Sequence, residues 1–172
     1  MEKGTVYFFT GLAGAGKTTI GGLFHRRLKA GKLNVVLLDG DLLRPVFCED
    51  IGYSNEERLK ASKRSFRVCK MLSDQGIDVV ICCIAMYSQV REWSRQNIAN
   101  YKEIYIKVEK ETLLQRNQKG LYSGSKNVVG VDLPFDEPME SDIVIHNDGK
   151  ETPEQIVDRI EAFLGINNGA VI

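Results

Sequence analysis

A glycine-rich segment near the start of the chain carries the strongest chemical signal. The run from Gly11 to Thr19 fits G-x-x-x-x-G-K-[ST], which is the phosphate-binding P-loop. It comprises Gly11, Leu12, Ala13, Gly14, Ala15, Gly16, Lys17, Thr18 and Thr19. Such a loop turns its backbone N–H groups toward phosphate oxygens, and the following helix N-terminus adds positive charge. We expect Lys17 to reach the β- and γ-phosphates of a bound nucleotide and the Thr18 hydroxyl to bind Mg²⁺.

Two carboxylates follow the second apolar run of the chain. Asp39 and Asp41 stand directly after Asn34–Leu38, which is a strand candidate. Ligands of open parallel sheets bind beyond the carboxyl ends of the strands, so both aspartates are expected to face the P-loop. One could hold Mg²⁺ through water, and the other could accept a proton from a substrate hydroxyl. The alternative is an Asp-Gly turn with two solvated carboxylates.

Several basic residues follow these aspartates. Arg44 and Arg58 lie near loop or helix starts, where they could clamp an anionic group of a substrate. Lys63, Arg64 and Arg67 are interpreted as the solvated face of a helix. Two histidines and the single tryptophan are interpreted as structural residues: His25, His146 and Trp93.

The elements that must position these residues alternate between strands and helices. Strands are predicted at Thr5–Thr10, Asn34–Leu38, Ile77–Ile84, Glu103–Val108 and Asp142–His146. Helices are predicted at Lys17–Ala30, Asn55–Gln75, Ser88–Asn100, Glu111–Gln118 and Pro153–Leu164. Ser54 and Glu57 form a capping-box pattern before the second helix. This rhythm predicts an α/β fold with a doubly wound parallel sheet of about five strands and helices on both faces. The aperiodic stretch 119–139 is predicted to be a lid loop.

Length and composition indicate one domain that spans residues 1–172. Lysine plus arginine number 23, and so do aspartate plus glutamate, which argues against a sequence-independent nucleic-acid binder. No stretch has the length of a membrane span, and the first strand starts too early for a signal peptide. The four cysteines form no C-x-x-C pair, which is typical of a protein of the reducing cytoplasm.

Taken together, the motifs resemble those of the adenylylsulfate kinase family. The matching segments are Gly11–Thr19, Leu38–Arg44, Ile51–Ser54 with Arg58, Arg91, Lys119–Tyr122, Gly130–Asp132 and Pro134. The resemblance implies a P-loop kinase fold, Mg²⁺ as cofactor, and transfer of the γ-phosphoryl group of ATP to the 3′-hydroxyl of a small nucleotide.

The resemblance also implies roles for individual residues. Lys17 and Asp41 are the expected catalytic residues, with Asp41 nearest the 3′-hydroxyl. The acceptor nucleotide is expected to contact Asp39 and Asp41, to be held at its 5′ anionic end by Arg44 and Arg58, and to stack its base on Tyr53. Lys119 and Leu121 belong to the lid. No membrane or nucleic-acid partner is expected, and a homodimer stays open beside a monomer.

The chain also departs from the family pattern on the acceptor side. Ala85 replaces a serine that some members phosphorylate, Ser88 replaces an arginine, and Ala61 replaces an asparagine that helps bind the acceptor. Val128 stands where a phenylalanine normally closes the stack on adenine. Two acceptors therefore stay open. One is adenylylsulfate, and the other is cytidine diphosphoramidate, the substrate of a similar branch in capsule synthesis. A non-catalytic nucleotide-binding module is a third interpretation.

Overall fold

Five parallel strands form one sheet in the computed structural model, which describes residues 2–47, 49–116, 129–130 and 133–166. The strands are β1 (Thr5–Thr10), β2 (Val35–Asp39), β3 (Asp78–Cys82), β4 (Asn100–Lys107) and β5 (Ile143–His146). Their order across the sheet is β2-β3-β1-β4-β5, and every neighbouring pair is parallel. The predicted parallel sheet is confirmed.

Six helices are described beside this sheet. They are α1 (Lys17–Gly31), α2 (Gly40–Phe47), α3 (Asn55–Ser73), α4 (Ser88–Asn97), α5 (Lys110–Arg116) and α6 (Pro153–Leu164). The capping box predicted at Ser54 and Glu57 is present at the start of α3. A second capping box, formed by Thr152 and Gln155, begins α6. The short helix α2 has no counterpart among the predicted elements.

The sheet is covered on both faces, and β1 shows why. Successive strand residues point to opposite faces. Tyr7 and Phe9 of β1 join a core with residues of α1 and α6, whereas Val6 and Phe8 join a core with residues of α2, α3 and α4. A strand that is buried on both faces thus stabilises two cores at once, and the predicted doubly wound arrangement is confirmed.

The order of the strands creates a crevice at their carboxyl ends. β1 and β3 are neighbours, but the helices that follow them, α1 and α4, pack on opposite faces. Ligands of open α/β sheets bind at such a switch point. The P-loop follows β1, Asp39 ends β2, and residues 83–87 follow β3, so all three segments meet there.

Several element boundaries differ from the predicted ones by one or two residues, and two differ by three residues for a physical reason. β4 begins at Asn100 rather than at Glu103, because Asn100 and Tyr101 pair with Thr5 and Val6 of β1 despite their polarity. Helix α4 ends at Asn97, because the chain turns there to enter β4. Part of the predicted lid, 119–139, lies outside the described residues. Lys119 and Leu121 are in that part.

Candidate functional site

The P-loop links β1 to α1 as the sequence predicts. Gly11, Gly14 and Gly16 all have positive φ angles, of 149°, 78° and 96°. Gly16 is also the N-cap of α1 and offers no side chain, so the first N–H groups of this helix have no side-chain cap. A Cβ at Gly16 would lie 2.7 Å from Nδ2 of Asn147. Both the backbone conformation and the lack of space require glycine there, and the helix start is left open to an anion.

Lys17 is held inside this loop. Its Nζ donates a hydrogen bond to the carbonyl oxygen of Leu12 at 2.9 Å. Burial lowers the pKa of Lys17 to about 8, against the opposing effect of nearby thiols and of Asp41 and Asp39. The ammonium group therefore lacks a close anionic partner strong enough to offset its desolvation. A phosphate group in the loop would supply that partner.

The aspartate pair, Asp39 and Asp41, joins the P-loop directly. The hydroxyl of Thr18 donates to Oδ2 of Asp39 at 2.8 Å, and the backbone N–H of Asp41 donates to Oδ1 of Asp39 at 2.9 Å. The structure thus brings Thr18, Asp39 and Asp41 together, as predicted. A hydroxyl and two carboxylates are oxygen donors of the kind that Mg²⁺ prefers, so this set fits a magnesium ion.

The predicted acceptor residues form a second cluster beside α2. One Nη of Arg44 donates to the carbonyl oxygens of Ile51, at 2.7 Å, and Gly52. The guanidinium carbon of Arg44 lies 3.7 Å from the ring centroid of Tyr53, and that of Arg58 lies 5.2 Å away. The Nε of Arg58 donates to the carbonyl oxygen of Tyr53 at 3.0 Å. The three predicted residues are therefore together, and the Tyr53 ring, 55% exposed, already contacts one guanidinium.

The capping box of α3 holds this cluster at the start of that helix. Glu57 accepts hydrogen bonds from the backbone N–H groups of Ser54 and Gly52, both at 3.0 Å. The hydrogen bonds from Ser54, and then that from Gly52, keep the pKa of Glu57 below its ordinary value. Tyr53 lies between these two donors along the chain. Its position is set by the first turn of α3.

Two residues that the sequence did not single out support the P-loop. The side-chain amide of Asn147 donates to the carbonyl oxygen of Ala15 at 2.8 Å. Arg116 donates to the carbonyl oxygen of Asn147 at 2.7 Å and to that of Gly14 at 3.4 Å. Asn147 directly follows β5, and its place at the carboxyl end of a strand was the only available signal. Arg116, the last residue of α5, offered none.

The loop after β3 carries an unusual backbone conformation. Ala85 is buried and has a φ of 35°, which an L-residue adopts at a cost of about 1–2 kcal/mol. The side-chain hydroxyl of Thr10, at the end of β1, donates to the carbonyl oxygen of Ile84 at 2.6 Å and fixes this loop against the P-loop strand. Position 85 thus lies close to the phosphate-binding segment but presents only a methyl group.

The predicted structural role of Trp93 agrees with its packing against the core between α3 and α4. Among the described residues, no helix is long and apolar enough to cross a membrane.

Comparison with known proteins identifies the family. A sequence model of the family described as adenylylsulphate kinase matches residues 3–146. A cytidine diphosphoramidate kinase from Campylobacter jejuni is 39% identical over 160 residues, which cover 90% of this chain and 93% of that protein. An adenylyl-sulfate kinase from Picosynechococcus is 34% identical over 160 residues, which cover 90% of each protein.

The fold comparison agrees with the sequence comparison. The structure of the Mycobacterium tuberculosis APS kinase in complex with AMPPNP and APS superposes with a TM-score of 0.86 at 25% identity, covering 96% of this chain and 99% of that one. The family match also spans the P-loop, both aspartates and the cluster around Tyr53. The chain belongs to the adenylylsulphate kinase family and is a phosphotransferase of the P-loop kinase fold.

Proposed function

We propose that this protein transfers the γ-phosphoryl group of magnesium-bound ATP to the 3′-hydroxyl of a small nucleotide that carries a 5′ anionic group. The observation that carries the proposal is the meeting of two clusters at one crevice. The P-loop with Lys17, Thr18 and Asp39 is suited to the donor. The cluster of Arg44, Tyr53 and Arg58, joined to it through α2, is suited to the acceptor.

The donor side acts by charge neutralisation and alignment. The P-loop amides and Lys17 bind the β- and γ-phosphates, and Lys17 stabilises the charge that develops as the bond to the leaving oxygen breaks. Thr18, and through water the two aspartates, would hold Mg²⁺, which would supply further neutralisation of phosphate charge.

The acceptor side places a hydroxyl in line with the γ-phosphorus. Arg44 and Arg58 hold the 5′ anionic end of the nucleotide, and Tyr53 contacts its base. Asp41, in the first turn of α2, accepts the proton as the 3′-oxygen forms its bond to phosphorus and ADP departs. Most of the rate enhancement comes from this positioning.

For the acceptor base, the substitutions favour cytosine over adenine. Ala61 and Ser88 lack the longer polar groups of adenylylsulfate kinases, and Val128 cannot stack on a base. Losing one stacking partner weakens base binding by about 1–3 kcal/mol. The relative with 39% identity is a cytidine diphosphoramidate kinase. We therefore propose cytidine diphosphoramidate as the acceptor, with adenylylsulfate as the alternative.

Steady-state kinetics with saturating Mg-ATP and each nucleotide in turn test this proposal. We expect a higher kcat/KM for cytidine diphosphoramidate than for adenylylsulfate. A strong preference for adenylylsulfate would contradict the cytidine acceptor and indicate a role in sulfate activation. Absence of ATP turnover with either nucleotide would instead support the non-catalytic module.

The proposal extends to location and assembly. We propose a cytoplasmic enzyme with reduced cysteines. Burial raises the pKa of the Cys69 thiol well above its ordinary value and that of the Cys82 thiol to about 12, so both stay protonated. The exposed apolar side chains of Leu42 and Val46 on α2 are consistent with a homodimer, which light scattering tests.

A further inference from the structure

The start of α4 is capped by a residue from a distant part of the chain. The N-cap of this helix, Tyr87, makes no side-chain capping bond. Instead, Oδ2 of Asp136 accepts a hydrogen bond from the backbone N–H of Ser88 at 2.8 Å, across 48 positions of sequence. The backbone N–H of Asp136 in turn donates to the carbonyl oxygen of Met86 at 2.9 Å. Asp136 therefore binds both sides of Tyr87.

A buried ion pair anchors Asp136 itself. Arg91 is 6% exposed, and its guanidinium donates to the carbonyl oxygens of Asp136, at 2.9 Å, and Glu137, at 3.4 Å. The opposite side of Arg91 faces Glu103, which is fully buried and lies 3.7 Å away. Arg95 also pairs with Glu103, at 2.8 Å. A buried, hydrogen-bonded network of this kind specifies one position for the segment that carries Asp136.

The loop held by Asp136 contacts both halves of the candidate active site. Cys83 packs against Gly40, where a Cβ would lie 2.7 Å from that of Cys83, and Gly40 separates Asp39 from Asp41. At the other end of the loop, the hydroxyl of Tyr87 donates to Oδ1 of Asn55 at 3.1 Å. Asn55 is the first residue of α3, two positions after Tyr53. A shift of this loop would move the surroundings of the acceptor.

We propose that Asp136 is a positioning residue for the acceptor nucleotide: by capping α4 and binding Met86, it holds Tyr87 against the start of α3. The inference rests on the proposed function and adds a residue that belongs to neither the donor cluster nor the acceptor cluster. Asp136 has no contact with the P-loop among the described hydrogen bonds, and the hydrogen bond from Thr10 to Ile84 holds the donor end of the loop separately. Its effect is therefore expected mainly on the acceptor.

The test compares three variants in steady-state assays with ATP and with each of the two nucleotides. Asp136→Ala removes the cap and is expected to raise the KM of the acceptor about tenfold, with the KM of ATP within about twofold of wild type. Asp136→Asn keeps an oxygen that accepts from Ser88 and is expected to restore most of the acceptor KM. Ser88→Pro removes the backbone N–H that donates to Asp136. Ser88 is the first residue of α4, a position where proline is tolerated.

A helix cap elsewhere supplies the matched control. Thr152 caps α6 by accepting from the N–H of Gln155 at 3.3 Å, on the opposite face of the sheet. Thr152→Ala costs a similar stability, about 1 kcal/mol. Its acceptor KM should equal that of wild type. Equal rises in both variants would assign the effect to general destabilisation and overturn the inference.

A double-mutant cycle tests the route through Tyr87. Tyr87→Phe removes the hydroxyl that donates to Asn55. If Asp136 acts through Tyr87, the double variant raises the acceptor KM no more than Asp136→Ala alone. Additive effects would overturn this route. If the wild-type protein turns over neither nucleotide, the proposed function is overturned, and this inference with it. If the wild-type protein is active but the acceptor KM is unchanged in Asp136→Ala and Ser88→Pro, the inference alone is overturned.

Discussion

ATP binding should take up a proton at mildly alkaline pH, because Lys17 is largely desolvated and makes no salt bridge with a carboxylate of the described residues. The pKa of Lys17 is lowered to about 8 in the free protein. The phosphates of ATP favour the charged ammonium form, so the pKa rises when ATP binds. At pH 8, where about half of the free molecules carry a neutral Lys17, we expect uptake of about 0.5 proton per ATP bound, rising to about 0.9 at pH 9.

The same linkage sets the pH dependence of affinity. A depressed lysine pKa means that the binding-competent, charged form is lost as pH rises through 8. Each further pH unit then costs about tenfold in ATP affinity, or about 1.4 kcal/mol, until the pKa of the complex is reached. Below pH 7 Lys17 is charged in both states and contributes no proton uptake.

Calorimetric titration of ATP with Mg²⁺, in the absence of acceptor, measures this uptake in buffers of different ionisation enthalpy. Lys17→Arg is the control, because its guanidinium stays charged and should abolish the proton uptake even where binding is weaker. Wild-type protein that binds ATP between pH 8 and 9 with no proton uptake would refute the reasoning.

Three further predictions concern individual residues. Asp41→Asn should lower kcat by at least about 100-fold, since a proton acceptor is lost, while ATP affinity measured by calorimetry changes little; a lost ATP affinity with normal kcat would mean that Asp41 serves binding. Asn147→Ala should raise the KM of ATP about tenfold and leave that of the acceptor unchanged, because the hydrogen bond to Ala15 is lost; equal rises in both constants would contradict a role confined to the P-loop. Incubation with γ-labelled ATP and no acceptor should leave the protein unlabelled, since Ala85 has no hydroxyl; a stable phosphoprotein would contradict direct transfer.

Local patterns were sufficient to predict the sheet and the donor site. The run from Gly11 to Thr19 carries its function in consecutive residues, so the strand, the loop and the helix could be assigned together. Asp39 and Asp41 could be placed because Asp39 ends a strand and Asp41 follows it two residues later. Helix α2 escaped prediction, since Gly40 suggests a turn and Pro45 lies within the helix.

Contacts between distant residues could not be predicted in the same way. Asn147 reaches the P-loop across 132 positions, and Asp136 reaches α4 across 48. Neither spacing has a period or a motif. Such contacts follow from the order of the strands, which brings β5 and the segment before it beside loops that were formed from earlier parts of the chain.

The hydrogen bond between Asn147 and the P-loop also bears on protein synthesis. The P-loop residues proposed to bind phosphate leave the ribosome well before Asn147, whose amide donates to Ala15 and which follows β5. A nascent chain that stops before β5 contains the whole P-loop and still lacks the support that gives it shape. On the proposed function, we therefore expect nucleotide binding only after β5 has joined the edge of the sheet.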